Sequence, residues 1–411
     1  MKDKKNRVVV IGGGAAGFFA AIRCAELNRD VEVVILERGK EALGKVKVSG
    51  GGRCNVTHAC FDASELIKRY PRGGRELLGP FHRFGCGDTV EWFEQRGVRL
   101  KTESDGRMFP VTDNSQTIMD CLWDAARKAG VKIFLQQRVE GLLPPSEQQP
   151  AWTVRTKDQV LYADRLMLAT GSSTAVWEWL RELGHTIVPP VPSLFTFNIK
   201  DPRILGLEGI SVPLATTAVE GTKLNDAGPL LITHWGLSGP AILRLSAYGA
   251  RELAERNYDF QLLVNWTGQE PDAIKMTLES SRKNDARKQV FPQAMFGLPS
   301  RLWRSLVTAA GILPETKWAD LNKQQFQGLL AQLTAARFQV RGKSTFKEEF
   351  VTAGGVSLRE VNFKTFESKL LSGLYFAGEV LDIDAVTGGF NFQAAWTGGW
   401  IAGEAMGVDP A

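Results

Sequence analysis

With 411 residues the chain is long enough for two or three domains, and its 44% hydrophobic and 23% charged residues are typical of a globular protein. A formal net charge of +5 suits an anionic cofactor or substrate but is too small to indicate nucleic-acid binding. The five cysteines include no C-x-x-C pair, and no apolar run reaches the roughly 18 residues of a membrane span. This composition argues against a disulfide framework and a membrane protein, and we expect a cytoplasmic protein with reduced thiols.

The first predicted elements form a strand–turn–helix–strand unit. An apolar run at residues 8–11 is followed by GGGAAG at 12–17, which is a complete G-x-G-x-x-G. Helical spacing at 18–27 and a second apolar run at 31–36 come next, and that run ends at Glu37. This order is the context in which the glycine motif binds a dinucleotide, whereas the motif alone would equally suit an ordinary glycine-rich turn.

Each residue type in this unit has a physical role. Gly12 permits the tight turn, Gly14 lets a pyrophosphate approach the backbone, and Gly17 allows the helix to pack closely on the sheet. The helix N-terminus favours the phosphate charge. Glu37 would accept hydrogen bonds from a ribose diol and repel a 2′-phosphate, which favours FAD or NAD over NADP.

A second glycine-rich stretch follows at 45–58, with the sequence KVKVSGGGRCNVTH. Its three glycines before Arg53 predict a loop whose backbone lies against a ligand, with a cation beside phosphate or flavin; the alternative is a plain surface turn. The Gly-, Pro- and Arg-rich stretch at 69–84 is interpreted as irregular.

Periodicity predicts the remaining elements before residue 190. Residues 166–170 read as a buried strand that ends in a Thr170-Gly171 turn, and cofactors bind at such carboxyl ends. The other predicted elements are helices at 88–96, 113–129 and 177–183, strands at 98–101 and 131–135, and a hairpin of 152–155 with 160–162.

The Pro-rich stretch at 189–192 predicts a domain boundary. Strands are expected afterwards at 194–199, 212–219, 229–233 and 260–265, with a helix at 240–254. From 271 to 336 the pattern becomes helical, with helices at 273–283, 299–310 and 323–333. The basic residues of this part are interpreted as a solvated face, so a nucleic-acid partner is not expected, and Trp303 and Trp318 are expected in the core.

The pattern of the C-terminal segment predicts that the chain returns to the first domain there. A strand at 374–378 ends before Glu379, and TGGFNFQ at 387–393 opens a helix at 394–406. A glycine pair at a helix N-terminus can stabilise negative charge on a flavin ring. Only one G-x-G-x-x-G is present, so a nicotinamide donor would dock transiently, and no redox-active cysteine pair supports disulfide reduction.

Five motifs together resemble the BaiN-like (YhiN-type) bacterial FAD-dependent oxidoreductases. They are IGGGAAG at 11–17, SGGGRCNVTH at 49–58, THWGLSGPAILRLS at 233–246, FVTAGGVSL at 350–358 and GLYFAGEVLDIDAVTGGFNFQAAWTGG at 373–399. The resemblance implies an α/β fold with a Rossmann-like FAD-binding domain of the glutathione-reductase type at 1–190 and 352–411. It also implies an inserted barrel-like β-rich domain at 191–270 and 337–351, a helical insert at 271–336, and non-covalent FAD.

The resemblance also implies the cofactor-binding residues. They are Gly12, Gly14, Ala16, Gly17, Glu37 and Arg38; Lys47, Ser49, Gly51, Gly52, Arg53, Cys54 and Asn55; Val139; Ala169, Thr170 and Gly171; and Gly378, Glu379, Asp384, Gly389, Phe390, Asn391 and Phe392. The chain departs from the family pattern at Val46, where relatives have Arg or Lys, and at Ala385, where they often have Gly.

Few side chains are candidates for proton transfer, since the flavin itself carries hydride chemistry. His234 could be the acid or base, although a lone histidine is more often structural. Cys54 is expected to be a buried inert thiol, and Arg53 to bind phosphate rather than a substrate carboxylate. No histidine or cysteine spacing suggests a metal site.

The predicted function is FAD-dependent hydride transfer to or from a small or medium organic substrate, with NAD(P)H as a possible donor. A flavin-dependent RNA-modifying protein and a non-catalytic FAD-binding sensor are the alternatives. The substrate and the oligomeric state stay open.

Overall fold

The computed structural model describes residues 6–344 and 351–408. The chain forms two compact units, of which the first comprises the described residues of Met1–Val191 and Lys347–Ala411, and the second those of Pro192–Phe346. The parts of the predicted domains at 1–5, 345–350 and 409–411 lie outside the described residues.

The strands are, in chain order, β1 (Arg7–Ile11), β2 (Glu32–Leu36), β3 (Thr57–His58), β4 (Leu100–Thr102), β5 (Arg107–Pro110), β6 (Lys132–Phe134), β7 (Val139–Leu143), β8 (Trp152–Thr156), β9 (Val160–Ala163), β10 (Arg165–Leu168), β11 (Ile187–Ser193), β12 (Thr196–Asn198), β13 (Ser211–Val219), β14 (Asn225–Thr233), β15 (Gly236–Ser238), β16 (Asp259–Asn265), β17 (Ala336–Arg341), β18 (Lys343–Ser344), β19 (Val351–Val356), β20 (Val361–Asn362), β21 (Glu367–Ser368) and β22 (Leu374–Phe376). The helices are α1 (Ala15–Leu27), α2 (Gly44–Gly52), α3 (Ala63–Leu66), α4 (Gly74–Arg83), α5 (Cys86–Glu94), α6 (Ser115–Ala129), α7 (Thr174–Glu182), α8 (Pro240–Tyr248), α9 (Ala250–Glu255), α10 (Pro271–Asn284), α11 (Ser300–Ala309), α12 (Lys323–Thr334) and α13 (Phe390–Gly407).

The central sheet of the first unit has seven strands in the order β20-β21-β22-β10-β1-β2-β6. β1 pairs in parallel with β2 and β10, and β10 pairs in parallel with β22, so a strand from the C-terminal segment enters the N-terminal sheet. The apolar run of β1 is almost completely buried, as a central parallel strand requires. The predicted Rossmann-type FAD-binding fold built from both chain ends is therefore confirmed.

Glycines let the helices α1 and α13 approach each other closely. A Cβ added at Gly399 would lie 2.5 Å from the carbonyl oxygen of Ala16, and one at Gly403 would lie 2.6 Å from that of Ala20. Because these glycines recur every fourth residue, they form a single stripe along α13. The stripe brings the C-terminal helix against the helix that begins at the glycine motif.

The sheet of the second unit is antiparallel, with the order β17-β16-β13-β14-β15-β12-β18. Its two edge strands, β17 and β18, are successive segments separated only by Gly342, so the sheet closes on itself. This closure agrees with the predicted barrel-like character. One core joins the sheet to helices α10–α12 and contains the fully buried Trp303 and Trp318, as predicted. The division of this unit into a β-rich and a helical domain stays a prediction.

Three local predictions were wrong in part. The stretch at 69–84 contains the helix α4, whose buried Leu77 and Phe81 follow helical spacing despite Pro80. The stretch at 45–58 begins in the helix α2 and leaves helical geometry only at Ser49. The helix expected at 240–254 is interrupted at Gly249, where α8 ends and α9 begins. None of the described helices is both long enough and apolar enough to cross a membrane.

Candidate functional site

The glycine turn after β1 is fixed by backbone contacts that exclude a side chain. Gly12 has a φ of 108°, and a Cβ there would lie 2.3 Å from the carbonyl oxygen of Ala169 at the end of β10. A Cβ at Gly17 would lie 2.0 Å from the carbonyl oxygen of Gly12. The turn, the start of α1 and the end of β10 are thus packed together.

Gly14 differs from these two glycines because it faces open space. It is the N-cap residue of the 13-residue helix α1, and no atom of the described residues lies within 4 Å of a Cβ built on it. The first N–H groups of α1 are therefore accessible beside a surface without side chains. This is the arrangement that binds a pyrophosphate.

Glu37 is held beside this turn by two backbone hydrogen bonds. The N–H of Gly13 donates to one carboxylate oxygen at 2.8 Å, and the N–H of Gly39 donates to the other at 2.7 Å. Each oxygen retains a second lone pair, so a ribose diol can still bind. The adjacent Arg38 is exposed. The carboxylate is thus oriented by the chain in advance of any ligand.

A polar residue that no sequence pattern indicated, Gln137, lies next to Glu37. The N–H of Gln137 donates to the Glu37 carbonyl at 2.8 Å, two residues before the buried Val139. The side-chain oxygen of Gln137 is buried and has no hydrogen-bond partner in the described part of the chain. No local sequence signal marks this residue, because only the pairing of its backbone with the end of β2 places it here.

Residues 49–58, which we call the SGGG segment, include three glycines with backbone angles that favour glycine. Gly50, Gly51 and Gly52 have φ values of 59°, 70° and 83°. A Cβ at Gly51 or Gly52 would meet no described atom within 4 Å, so this backbone is open to a ligand. Ser49 is turned inward and its hydroxyl donates to the Val46 carbonyl at 3.1 Å. The segment begins as a helix and then has an open backbone, and its contact with a ligand stays a prediction.

The side chains of Cys54 and Arg53 both pack within the protein. Cys54 is completely buried, and burial raises the pKa of its thiol to about 12, which disfavours the reactive thiolate. The Arg53 guanidinium donates to Glu103 at 2.6 Å and lies 4.0 Å above the ring of Phe109. The ion pair with Glu103 raises the pKa of Arg53. In this arrangement Arg53 packs the loop against Phe109 of β5. Its contact with a phosphate stays a prediction.

Two further predicted site residues, Lys47 and Glu379, form ion pairs within the protein. Lys47 forms an exposed ion pair with Glu41 at 2.7 Å. Lys45 forms an ion pair with Glu379, which follows β22. Lys45 therefore joins α2 to the C-terminal segment.

The closing segment is tied to the SGGG segment by buried groups. After assignment of the Asn55 amide orientation, its oxygen accepts from the Gly389 N–H at 2.9 Å. The indole N–H of Trp396 donates to the Val56 carbonyl at 2.9 Å. The ring of His58 stacks on Phe390 with centroids 4.6 Å apart. These contacts place the N-terminus of α13 beside the glycine-rich segment.

Some predicted residues of the closing segment support the fold. Asp384 is fully buried and forms a bidentate ion pair with Arg72, a residue that the sequence analysis did not single out. The Asn391 amide bonds both backbone groups of Ala385, at 2.9 and 3.1 Å. Phe392 stacks on Trp396. The side chains of Asp384 and Asn391 thus shape the segment from within.

The end of β10 lies next to the end of β22. A Cβ at Gly171 would lie 3.6 Å from the carboxylate of Glu379, and one at Gly378 would lie 3.5 Å from the Cβ of Ala16. The hydroxyl of Thr170 is buried, with no hydrogen-bond partner among residues 6–344 and 351–408. An acceptor or donor on a bound ligand would satisfy it. The open Gly14 turn, oriented Glu37 and unpartnered Thr170 fit a dinucleotide cofactor.

His234 lies in the second unit, at the tip between β14 and β15, and is exposed. Its proposed proton transfer stays a prediction. No group of three or more His, Cys, Asp or Glu side chains able to hold a metal ion occurs in the described ranges.

Residues 6–405 match the HI0933-like protein Rossmann domain. The chain belongs to the HI0933-like family. The 3-dehydro-bile acid delta(4,6)-reductase of Clostridium scindens is 31% identical to this HI0933-like chain, over 98% of this chain and 100% of the relative. The ribosomal RNA dihydrouridine synthase of Escherichia coli strain K12 is 29% identical, over 96% of each chain.

Solved structures show the same fold for this HI0933-like protein. The 3-ketosteroid-Δ4-(5α)-dehydrogenase of Rhodococcus jostii RHA1 has a TM-score of 0.54 at 16% identity, covering 100% of this chain and 98% of the other. The 3-ketosteroid Δ1-dehydrogenase of Sterolibacterium denitrificans has a TM-score of 0.52 at 12% identity, covering 98% and 99%. Taken with the family membership, the predicted FAD-dependent oxidoreductase enzyme is confirmed.

Proposed function

We propose that this enzyme reduces a carbon–carbon double bond conjugated to a carbonyl group in a small organic substrate. The 31% identical relative is named for Δ4,6 double bonds in a 3-dehydro compound, and the 29% identical relative for the dihydro form of uridine. Both names describe saturation of a double bond that is conjugated to a carbonyl. That shared chemistry, on a chain matched over nearly its whole length, supports the same reaction class here.

In this reaction the carbon β to the carbonyl gains a hydride and the α carbon gains a proton. NAD(P)H is the proposed hydride source; it would dock transiently and leave as NAD(P)⁺. The hydride provides two electrons and one proton, and solvent provides the second proton, so the reaction is balanced. Bound FAD supplies the hydride relay through its ring. A cytoplasmic location, expected from the free cysteines, belongs to the same proposal.

The residues of this chain bind and orient the reactants. The N–H groups after Gly14 would bind the pyrophosphate, and Glu37 would bind the adenosine ribose. The N-terminus of α13 would stabilise negative charge at the flavin ring. Lys45 and Glu379 would lie beside the cofactor, and His234 remains the candidate proton donor. The double-bond chemistry shared by the names of the two relatives carries the proposed reaction, and the open space at Gly14, where no described atom lies within 4 Å of a built Cβ, supports the FAD on which it depends.

Anaerobic reduction of the bound flavin tests the proposal. We expect purified protein to be yellow, to bleach with NADH or NADPH, and to recover its colour with a 4-ene-3-ketosteroid while the saturated ketone accumulates. Recovery only with oxygen would indicate an oxidase instead. Colourless protein that takes up no added FAD would contradict the proposal altogether.

A second candidate substrate is a uracil base in RNA, and the charge distribution favours it. Residues Pro192–Phe346 carry 18 Lys and Arg against 13 Asp and Glu, a charge of +5 that equals the net charge of the whole chain. A surplus confined to one unit is the pattern of a phosphate-binding surface. Dihydrouridine formed in ribosomal RNA by the purified enzyme with NAD(P)H would support this candidate. Activity on free enones alone would reject it.

A further inference from the structure

The hairpin between β14 and β15 presents an aromatic side chain to solvent. Thr233 pairs with Gly236, so His234 and Trp235 form a two-residue tip, and both are exposed. The exposed fraction of Trp235 is 56%, whereas Trp266, Trp303 and Trp318 of the same unit are fully buried. More than half of this indole surface is therefore free to contact a ligand.

The tip is rigid because three hydrogen bonds hold its backbone. The Thr233 hydroxyl donates to the Gly236 carbonyl at 3.2 Å, and the Trp235 N–H donates to the Thr233 hydroxyl at 3.3 Å. The N–H of Ile199 on the neighbouring chain segment donates to the Trp235 carbonyl at 2.9 Å. An aromatic ring on a fixed backbone loses little conformational entropy on binding, which is typical of recognition residues.

The segment before β13 connects Arg301 to the strand that leads to this tip. The segment leading to β13 runs beside the end of β14, since the Gly209 N–H donates to the Ile232 carbonyl at 2.9 Å. Arg301, in the first turn of α11, donates to the Gly206 carbonyl of that segment. The Glu208 carboxylate belongs to the same segment and accepts the N–H of Gly206 at 3.2 Å.

Two more exposed side chains belong to the same elements, Arg304 to α11 and Leu205 to the segment just before Gly206. Arg304 lies one helical turn after Arg301, is exposed, and has its guanidinium 5.6 Å above the Phe291 ring. Leu205 has an exposed fraction of 78%. We call His234, Trp235, Leu205, Arg301 and Arg304 the Trp235 surface. It combines a flat apolar ring with two guanidinium groups, in the unit that carries the entire net charge.

We propose that the Trp235 surface binds single-stranded RNA, with a base stacked on the indole and backbone phosphates at Arg301 and Arg304. A base offers a flat face to the indole, and guanidinium groups form bidentate contacts with phosphate. This inference rests on the RNA candidate of the proposed function. It adds the residues that would recruit the strand, and they are separate from the residues that hold the cofactor.

Binding of a fluorescent oligouridylate of about ten nucleotides tests the inference, measured by anisotropy at about 50 mM salt. We expect Trp235→Ala to weaken binding about 5- to 150-fold, which corresponds to the loss of one stacked base. Trp235→Phe should retain part of the affinity. Tyr162→Ala, which removes a 43% exposed aromatic from the first unit, is the matched control and should bind like the wild type.

The salt dependence gives a second measurement. Arg301→Gln should lower the slope of log affinity against log salt by about 0.7, the value for one phosphate on a single strand. The inference is overturned if the wild type does not bind at low salt, or if Trp235→Ala binds equally well. Flavin content and dihydrouridine formation in ribosomal RNA are measured on the same proteins. If the wild type forms dihydrouridine and Trp235→Ala binds the oligonucleotide and forms dihydrouridine equally well, only this inference fails; if the wild type forms none, the RNA candidate of the proposed function fails.

Discussion

The hydroxyl of Thr57 donates a 2.6 Å hydrogen bond to the side-chain oxygen of Gln393, a residue 336 positions later. Both side chains are fully buried. Thr89 donates to the same oxygen at 3.0 Å, and the Gln393 amide N–H donates to Thr397 at 3.1 Å. This network fixes the first turn of α13 against the end of the SGGG segment, and it adds a buried polar link to the contacts of Asn55, Trp396 and His58 that join the same two segments.

Gln393→Leu should therefore loosen this junction. The change keeps a side chain of similar size but leaves buried hydroxyl groups without their partner, and we expect the free energy of unfolding to fall by about 1–3 kcal/mol. The affinity for FAD should fall as well, because the N-terminus of α13 is no longer fixed. Chemical denaturation and flavin titration measure the two effects. Gln148→Leu, at an exposed position, is the control, and an equal loss there would refute the role of the network.

Two alanine substitutions in the glycine motif should have opposite signatures. Gly17→Ala places a Cβ 2.0 Å from a backbone oxygen, so we expect the apoprotein to lose about 3 kcal/mol of stability or more. Gly14→Ala meets no described atom within 4 Å, so the apoprotein should keep its stability. Its methyl group would occupy the space proposed for the pyrophosphate, and the dissociation constant of FAD should rise about tenfold or more. Unchanged FAD affinity in Gly14→Ala would place the phosphate elsewhere.

The buried ion pair between Arg72 and Asp384 should be needed for stability. The Asp384 side chain is 0% exposed and that of Arg72 is 11% exposed. Arg72→Ala would leave a buried carboxylate without its guanidinium partner, and we expect a loss of about 3–5 kcal/mol. Arg72→Lys should recover only part of this loss because an ammonium group cannot bond both oxygens in the same way. Thermal unfolding of both variants measures the difference, and a wild-type transition in Arg72→Ala would contradict the assignment.

Protonation of His185 should lower the free energy of unfolding as the pH is lowered. Its Nδ1 lies 3.0 Å from Glu360, and its Nε2 lies 3.1 Å from the Ser368 hydroxyl, which already accepts the N–H groups of Leu370 and Leu371 at 3.0 Å each. The Ser368 proton therefore points to Nε2, and the ring is neutral. Burial lowers the pKa of His185 below its ordinary value of 6.5, although Glu360 opposes the shift.

Because the folded pKa is the lower one, the unfolded chain binds more protons below pH 6.5. The free energy of unfolding should decrease as the pH falls through 6.5, until the folded pKa is passed. His185→Gln should flatten this part of the pH profile relative to the wild type. Urea denaturation between about pH 5 and 8 measures both profiles, and identical slopes would show that His185 does not titrate in this way.

Local patterns were reliable where the reason for a residue is local. The order of β1, α1 and β2 follows from apolar periodicity and the glycine motif, and the hairpin of β8 and β9 was anticipated for the same reason. The helix α4 was missed because its glycines and Pro80 mask a buried stripe that becomes visible only when Leu77 and Phe81 meet the core. Propensity alone cannot report such burial.

The dinucleotide turn could be predicted from residues 8–37 alone, because the positive φ of Gly12 and the contact of Gly17 with the Gly12 carbonyl are constraints within a few residues of the chain. Which polar side chains are paired within the protein and which have no partner became apparent from the three-dimensional structure. Asp384 turned out to be bound inward to Arg72, and Arg53 to Glu103, while Gln137 and Thr170 retain buried atoms without partners in the described ranges. An ion pair or a hydrogen bond forms only when two groups are close in space. Arg72 and Asp384 are 312 positions apart in the chain, so their positions in the sequence do not indicate that they are in contact.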